Sequence, residues 1–222
     1  MAKDRTYIEV TAFHEAGHVV AALAEGGRVA AVGVSRRRPG SGVTHMVTQT
    51  YKNPFNCQRG AYRSAWHYTL QSQLKTVRPV LAGPLAEAKL VGTPLRSLGS
   101  VSDFERCLQR VESLQSHYNL LKDLGGNLPA FCPYEIVNKE RKRVRRWVAQ
   151  PKVWICIERL AQALIRQEYL DEEEILWVCS GASTSLALRA QESIFVDDLV
   201  QLYRSSFAAL SSANMAFQAR CA

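Results

Sequence analysis

The chain has 222 residues, 47% hydrophobic and 22% charged, enough to bury a core and too apolar for wholesale disorder. It contains no run of about 18 uncharged apolar residues, so no membrane span is expected, and Met1 to Glu9 lack the basic-then-apolar order of a signal peptide. The net charge of +8 gathers in Arg36 to Arg38 and in Lys139 to Arg146, and no zinc-finger, RRM-like or leucine-zipper pattern accompanies it, which favours a solvated face over a nucleic-acid site.

Thr6 and Glu9 have the spacing of a capping box, which predicts a helix from there to about Glu25, stopped by Gly26-Gly27. Val29 to Val34 and Val43 to Val47 read as two short strands around the turn Pro39-Gly40-Ser41-Gly42. Asn53 to Asn56 is a loop. Gly60 to Val91 is helical in pattern, and Pro79 and Pro84 should each break or kink it. Leu95 to Ser102 reads as a loop, and one long helix should then run from Asp103 to Leu121.

Tyr134 to Val148 reads as helix, and Pro151 suits the first turn of another that carries Val153, Ile157, Leu160 and Leu164. Asp171 to Glu174 places acids at a helix start. Gly181 to Gln191 is a weakly patterned link before a final helix, Val196 to Leu210. The expected fold class is mainly α, with a small β-hairpin or sheet beside the first helix. The six cysteines, Cys57, Cys107, Cys132, Cys156, Cys179 and Cys221, form no C-x-x-C pair. Reduced thiols in a cytoplasmic protein are the expectation.

His14-Glu15-Ala16-Gly17-His18 is an H-E-x-x-H motif on the first helix. Residues four apart share a helix face, so both imidazoles can reach one metal ion. Zinc lowers the pKa of a bound water toward about 7, and an adjacent carboxylate, here Glu15, can take its proton and later pass it to a leaving amine. His14 and His18 are therefore candidate zinc ligands and Glu15 the candidate base. Gly17 costs about 1 kcal/mol relative to Ala in a helix interior, so something should offset it, and close approach of another element is one candidate. A third ligand is required. His45, His67 and His117 remain, and spacing alone does not choose among them and the acids.

The stretch from Thr11 to Leu23 resembles the zinc helix of FtsH-type proteases. Val32 to Met46 resembles that family's strand, turn and G-x-T-containing strand. Val80 to Glu87 resembles its "LLGGRAAE" helix, and Gly99 to Arg106 its "GAxNDLERA" segment. Ile157 to Ile175 is a weaker match to its late helix. The resemblance implies a helical zinc-peptidase domain over residues 1–204, with a metal-site part (1–122), a C-terminal helical part (134–204) and a tail at 205–222. It makes Asp103 the third zinc ligand, whereas from the residues alone Ser102-Asp103 also suits a helix N-cap.

It further implies hydrolysis of flexible or unfolded polypeptides. No G-x-x-x-x-G-K-[ST] loop occurs, so ATP-driven unfolding would need a separate ATPase or regulatory chain as partner. Val43, Thr44 and His45, on an edge strand, are the candidate substrate-binding residues, pairing main chain with the polypeptide. Two readings compete. One is a catalytically silent zinc-binding scaffold, and the other a basic protein that contacts nucleic acid through Lys139 to Arg146, whose cations would span every side of one helix.

Overall fold

The computed structural model describes residues 6–47, 62–92 and 98–187. The expected domain boundary at 204, the loop at Asn53 to Asn56 and the helix Val196 to Leu210 lie outside them. The chain divides into a compact unit, Met1–Cys179, and a second, Ser180–Ala222, of which only the end of one helix is described. The fold is mainly helical with a small antiparallel sheet, as expected. No helix among the described residues is long and apolar enough to cross a membrane.

Helix α1 (Tyr7–Ala24) is the central element. Thr6 caps it, its hydroxyl accepting from the Glu9 amide at 3.4 Å, and Gly26 ends it with φ of 76°, a value that favours glycine. It is buried nearly all round, against α2 (Tyr62–Val91), α6 (Pro151–Gln167) and the sheet. Strand β1 (Arg28–Val34) lies in the middle of that sheet, between β2 (Gly42–Val47) and β3 (Tyr169–Asp171), both antiparallel to it. Its register places Val32 opposite Thr44 on one side and Leu170 on the other.

Several expectations need correction. Helix α2 runs continuously through Pro79 and Pro84, both buried. Each proline withholds one amide from the helical ladder, but packing against α1, α3 (Leu98–Glu112) and α5 (Pro133–Val148) holds the helix together. The loop expected at Leu95 to Ser102 is helical from Leu98 onward. The single helix expected from Asp103 to Leu121 is two helices, α3 and α4 (Gln115–Asp123), and α4 turns aside so that Tyr118 packs against Trp66 and Phe131. Helix α7 (Glu172–Ala187) extends into the expected link. Its start is a capping box, with Asp171 accepting from the Glu174 amide at 2.9 Å and Glu174 accepting from the Asp171 amide at 3.1 Å.

The cations of α5 do not span every side of it. Val137, Glu140, Val144 and Val148 form its buried face, leaving Lys139, Lys142, Arg143 and Arg146 exposed along the opposite side.

Candidate metal centre

The approach of α2 to α1 creates the site. A Cβ on Gly17 would sit 2.7 Å from the Ala82 carbonyl oxygen and 2.9 Å from the Ala86 Cβ, so glycine is required for this crossing. Close approach, one candidate for what offsets a glycine in the helix interior, is what the structure has here. Gly83, on α2, faces the His18 ring with no room for a side chain. Two small residues thus let the helices close until a backbone carbonyl of α2 reaches an imidazole of α1.

That contact sets the tautomer of His18. Its Nδ1 donates to the Pro79 carbonyl at 2.9 Å, and a carbonyl can only accept. The neutral ring therefore presents its Nε2 lone pair to the site. His14 Nδ1 bonds Glu87 Oε2 at 2.8 Å, the second common way of orienting a metal-binding histidine. The two Nε2 atoms converge on one oxygen, Asp103 Oδ2, at 3.1 Å from His14 and 3.4 Å from His18.

Asp103 comes from α3. It lies inside that helix, which begins at Leu98, so the capping alternative is excluded. Its carboxylate is buried against the histidines, and Arg106, mostly exposed, approaches the other oxygen at 3.5 Å. His14, His18 and Asp103 form the one group among the described residues with ligand atoms close enough to hold a metal ion. Atoms bound to a tetrahedral zinc at about 2.0–2.1 Å stand roughly 3.3 Å apart, so the donors and their spacing fit zinc. None of the other histidines joins them. His45 and His67 are exposed, and His117 on α4 pairs with Thr69 at 3.4 Å. Cys107, one turn beyond Asp103, instead donates to the Val77 carbonyl, and burial pushes its thiol up to about 12.

The electrostatics point the same way. Glu15, Glu87 and Asp103 place three carboxylates around two imidazoles. Burial disfavours a charged His14, but its hydrogen bonds to Asp103 and Glu87, with the Glu15 charge nearby, overcome this and raise it to about 9. Burial would likewise raise the Asp103 carboxyl, yet its hydrogen bond from His14, with His18 close by, outweighs this and holds it well below the usual carboxylate range. The cluster demands positive charge, and a proton on His14 is one way to supply it.

Glu15 is buried on the sheet side of α1. Thr44 of β2 donates its hydroxyl to Glu15 Oε2 at 2.6 Å, and a Cβ on Gly42 would lie 2.6 Å from Oε1. Strand alternation separates the three β2 candidates. Thr44 faces the carboxylate, while Val43, 50% exposed, and His45, also exposed, do not join it. The sequence reading missed Glu87, the Pro79 carbonyl and the Thr44–Glu15 bond. No local pattern marks them, because each partner is far along the chain. No family model matches this chain, and no curated protein matches it.

Proposed function

We propose that this protein is a zinc-dependent endopeptidase, related to the peptidase domains of FtsH-type proteases and acting on flexible or unfolded polypeptides. The observation that carries the reading is the convergence of His14 Nε2 and His18 Nε2 on Asp103 Oδ2, with the Glu15 carboxylate held beside them by Thr44. His14, His18 and Asp103 would hold the zinc, which when bound supplies a Lewis acid to polarise a peptide carbonyl and acidify a water.

The chain's own residues supply the rest. Thr44 holds Glu15 in place through Oε2, and the Glu15 carboxylate would accept a proton from the attacking water and return it to the leaving amine. Strand β2 pairs with β1 along one edge, and its other edge has no strand partner among the described residues. A polypeptide can add there by main-chain hydrogen bonds, with Val43 and His45 beside it. Such pairing needs an extended segment, which favours unfolded substrates.

Glu15→Gln is the test. The variant should keep about one zinc per chain and lose hydrolysis of a labelled unfolded polypeptide by at least about a hundredfold. Full activity with zinc bound would remove Glu15 from the role of base.

A further inference from the structure

A cavity of about 380 Å³ opens beside the metal cluster, lined by Ala22 of α1, Met46 and Val47 of β2, Lys75 and Pro79 of α2, and Arg110 of α3. Its position relative to the cluster follows from shared residues. Pro79, on its wall, is the residue whose carbonyl orients His18. At the other end of β2, Gly42 lies against Thr11 and Glu15, whereas Met46 and Val47 meet Ala22 at the cavity. Helix and strand therefore leave the metal site in the same direction. Helical rise puts Ala22 roughly 6 Å beyond His18, and strand rise puts Met46 and Val47 roughly 7–10 Å beyond Thr44. A polypeptide paired along β2 advances at the same rate, so a residue two or three positions from its scissile bond arrives at the cavity.

The charges around the cavity are unequally engaged. Arg28, on its rim, is bound to Glu172 at 2.7 Å, and Glu25, on its wall, is bound at 3.1 Å by Arg78, which also pairs with Glu140 at 2.7 Å. Lys75 is exposed and has no ion-pair or hydrogen-bond partner among the described residues. Arg110 donates to the Thr76 carbonyl at 2.9 Å and has no carboxylate partner among the described residues. Two cations without a carboxylate partner among the described residues, bordering a partly apolar cavity, suit a carboxylate on a short aliphatic stem.

We infer that this cavity is a specificity subsite for an aspartate or glutamate side chain of the polypeptide, two or three residues from the cleaved bond, held by Lys75 and Arg110. The inference rests on the peptidase reading and adds the substrate class, acidic segments of unfolded chains.

The test uses the zinc-loaded full chain and quenched fluorescent peptides with amidated C-termini, identical except for Glu, Gln or Lys placed in turn at each of the three positions on either side of the cleaved bond. Glu at one position should raise kcat/KM at least about tenfold over Gln, a charge-assisted hydrogen bond's worth, and Lys should lower it. Lys75→Glu should reverse that order. Lys75 is exposed, and zinc content checks that the variant is folded. The same peptides are bound to zinc-loaded Glu15→Gln and followed by anisotropy, which needs no hydrolysis.

Equal binding and cleavage of the Glu, Gln and Lys peptides would overturn the subsite and leave the peptidase reading standing. Acid-selective binding that Lys75→Glu reverses, with no hydrolysis by the wild-type chain, would keep the subsite and sink the peptidase reading. A preference seen only with a free C-terminal carboxylate would overturn the side-chain assignment in favour of chain ends. Neither binding nor cleavage of any peptide would overturn both.

Discussion

Helix α2 anchors two buried polar clusters, and they differ in what balances their charge. In one, the Arg78 guanidinium donates to Glu140 at 2.7 Å, to both Glu25 oxygens at 3.1 and 3.2 Å, and to Gln71 at 3.1 Å. Its cation is covalently part of the chain and cannot leave. In the other, Glu87, Asp103 and Glu15 surround His14 and His18, and the arginine that reaches them, Arg106, is mostly exposed and stands 3.5 Å from Asp103 Oδ1. That exposed cation balances one of three carboxylates at most, and a proton on His14 supplies further positive charge. The first cluster ties α1, α2 and α5 together. The second, on the zinc reading proposed above, would exchange its proton for a metal ion, and that would distinguish a site from structural cement.

Breaking the exchangeable cluster at its shared oxygen should have the largest effect. Asp103→Ala should weaken zinc binding by more than about a hundredfold, beyond the usual loss for an outer partner, and elemental analysis of the purified variant should find almost no zinc. Retained zinc would mean that another group completes the site. The fixed cluster should respond in the opposite manner. Glu140→Gln removes the closest partner of a buried arginine and leaves only Glu25 to compensate it, at a cost of about 2–3 kcal/mol of stability in urea unfolding, with zinc affinity unchanged. A loss under about 1 kcal/mol, or a concurrent loss of zinc, would erase the distinction between the two clusters.

The two clusters also differ in how far the sequence discloses them. His14, Glu15 and His18 share one helical turn, so their common face follows from α-helix geometry alone. The helix starts at Thr6 with Glu9 and at Asp171 with Glu174 are local for the same reason. Asp103 is 89 residues from His14 and is ambiguous by itself, and in the sequence only the resemblance to FtsH-type proteases pointed to it. Glu87 and Glu140 carry no local signal, since each is defined by a partner more than 60 residues away. The three-residue strand β3 is too short for period-two alternation to show, and β1 supplies its pairing. The helical pattern of α2 was legible, but its continuity through Pro79 and Pro84 was not, because the packing that holds it through them comes from other helices.

If the metal site exchanges a proton for zinc, its affinity must depend on pH with a definite sign. His14 holds its proton to about pH 9 in the folded metal-free protein, against about 6.5 when unfolded. Protonation therefore stabilises the metal-free fold fully below pH 6.5, and that contribution is lost as the pH rises through 9. Zinc must displace the same proton. Its apparent affinity should accordingly rise with pH, by up to about tenfold per unit, and level off above 9. Competition with a chelator of known affinity, from pH 7 to 9.5, measures this. A flat profile would mean that no proton is displaced at His14, whereas the stability contributed by the Arg78 cluster should not change over that range.

The smallest effect, and the finest test of the exchange, belongs to Glu87→Gln. Glutamine keeps an oxygen able to accept from His14 Nδ1, so the ring keeps its orientation and only the negative charge is lost. Outer-shell changes of this kind typically cost about 10–100-fold in metal affinity. Here the cost should itself vary with pH. Glu87 raises the proton affinity of His14 as well as its basicity toward zinc. Removing it weakens the metal and its competitor together. At pH 7, where the wild-type site must first shed a tightly held proton, part of the loss is offset. Above pH 9 no proton competes and the full loss appears. The ratio of wild-type to variant affinity should therefore grow from pH 7 to pH 9.5. A ratio that stays constant would mean that Glu87 serves only to position the ring and leaves its charge balance untouched.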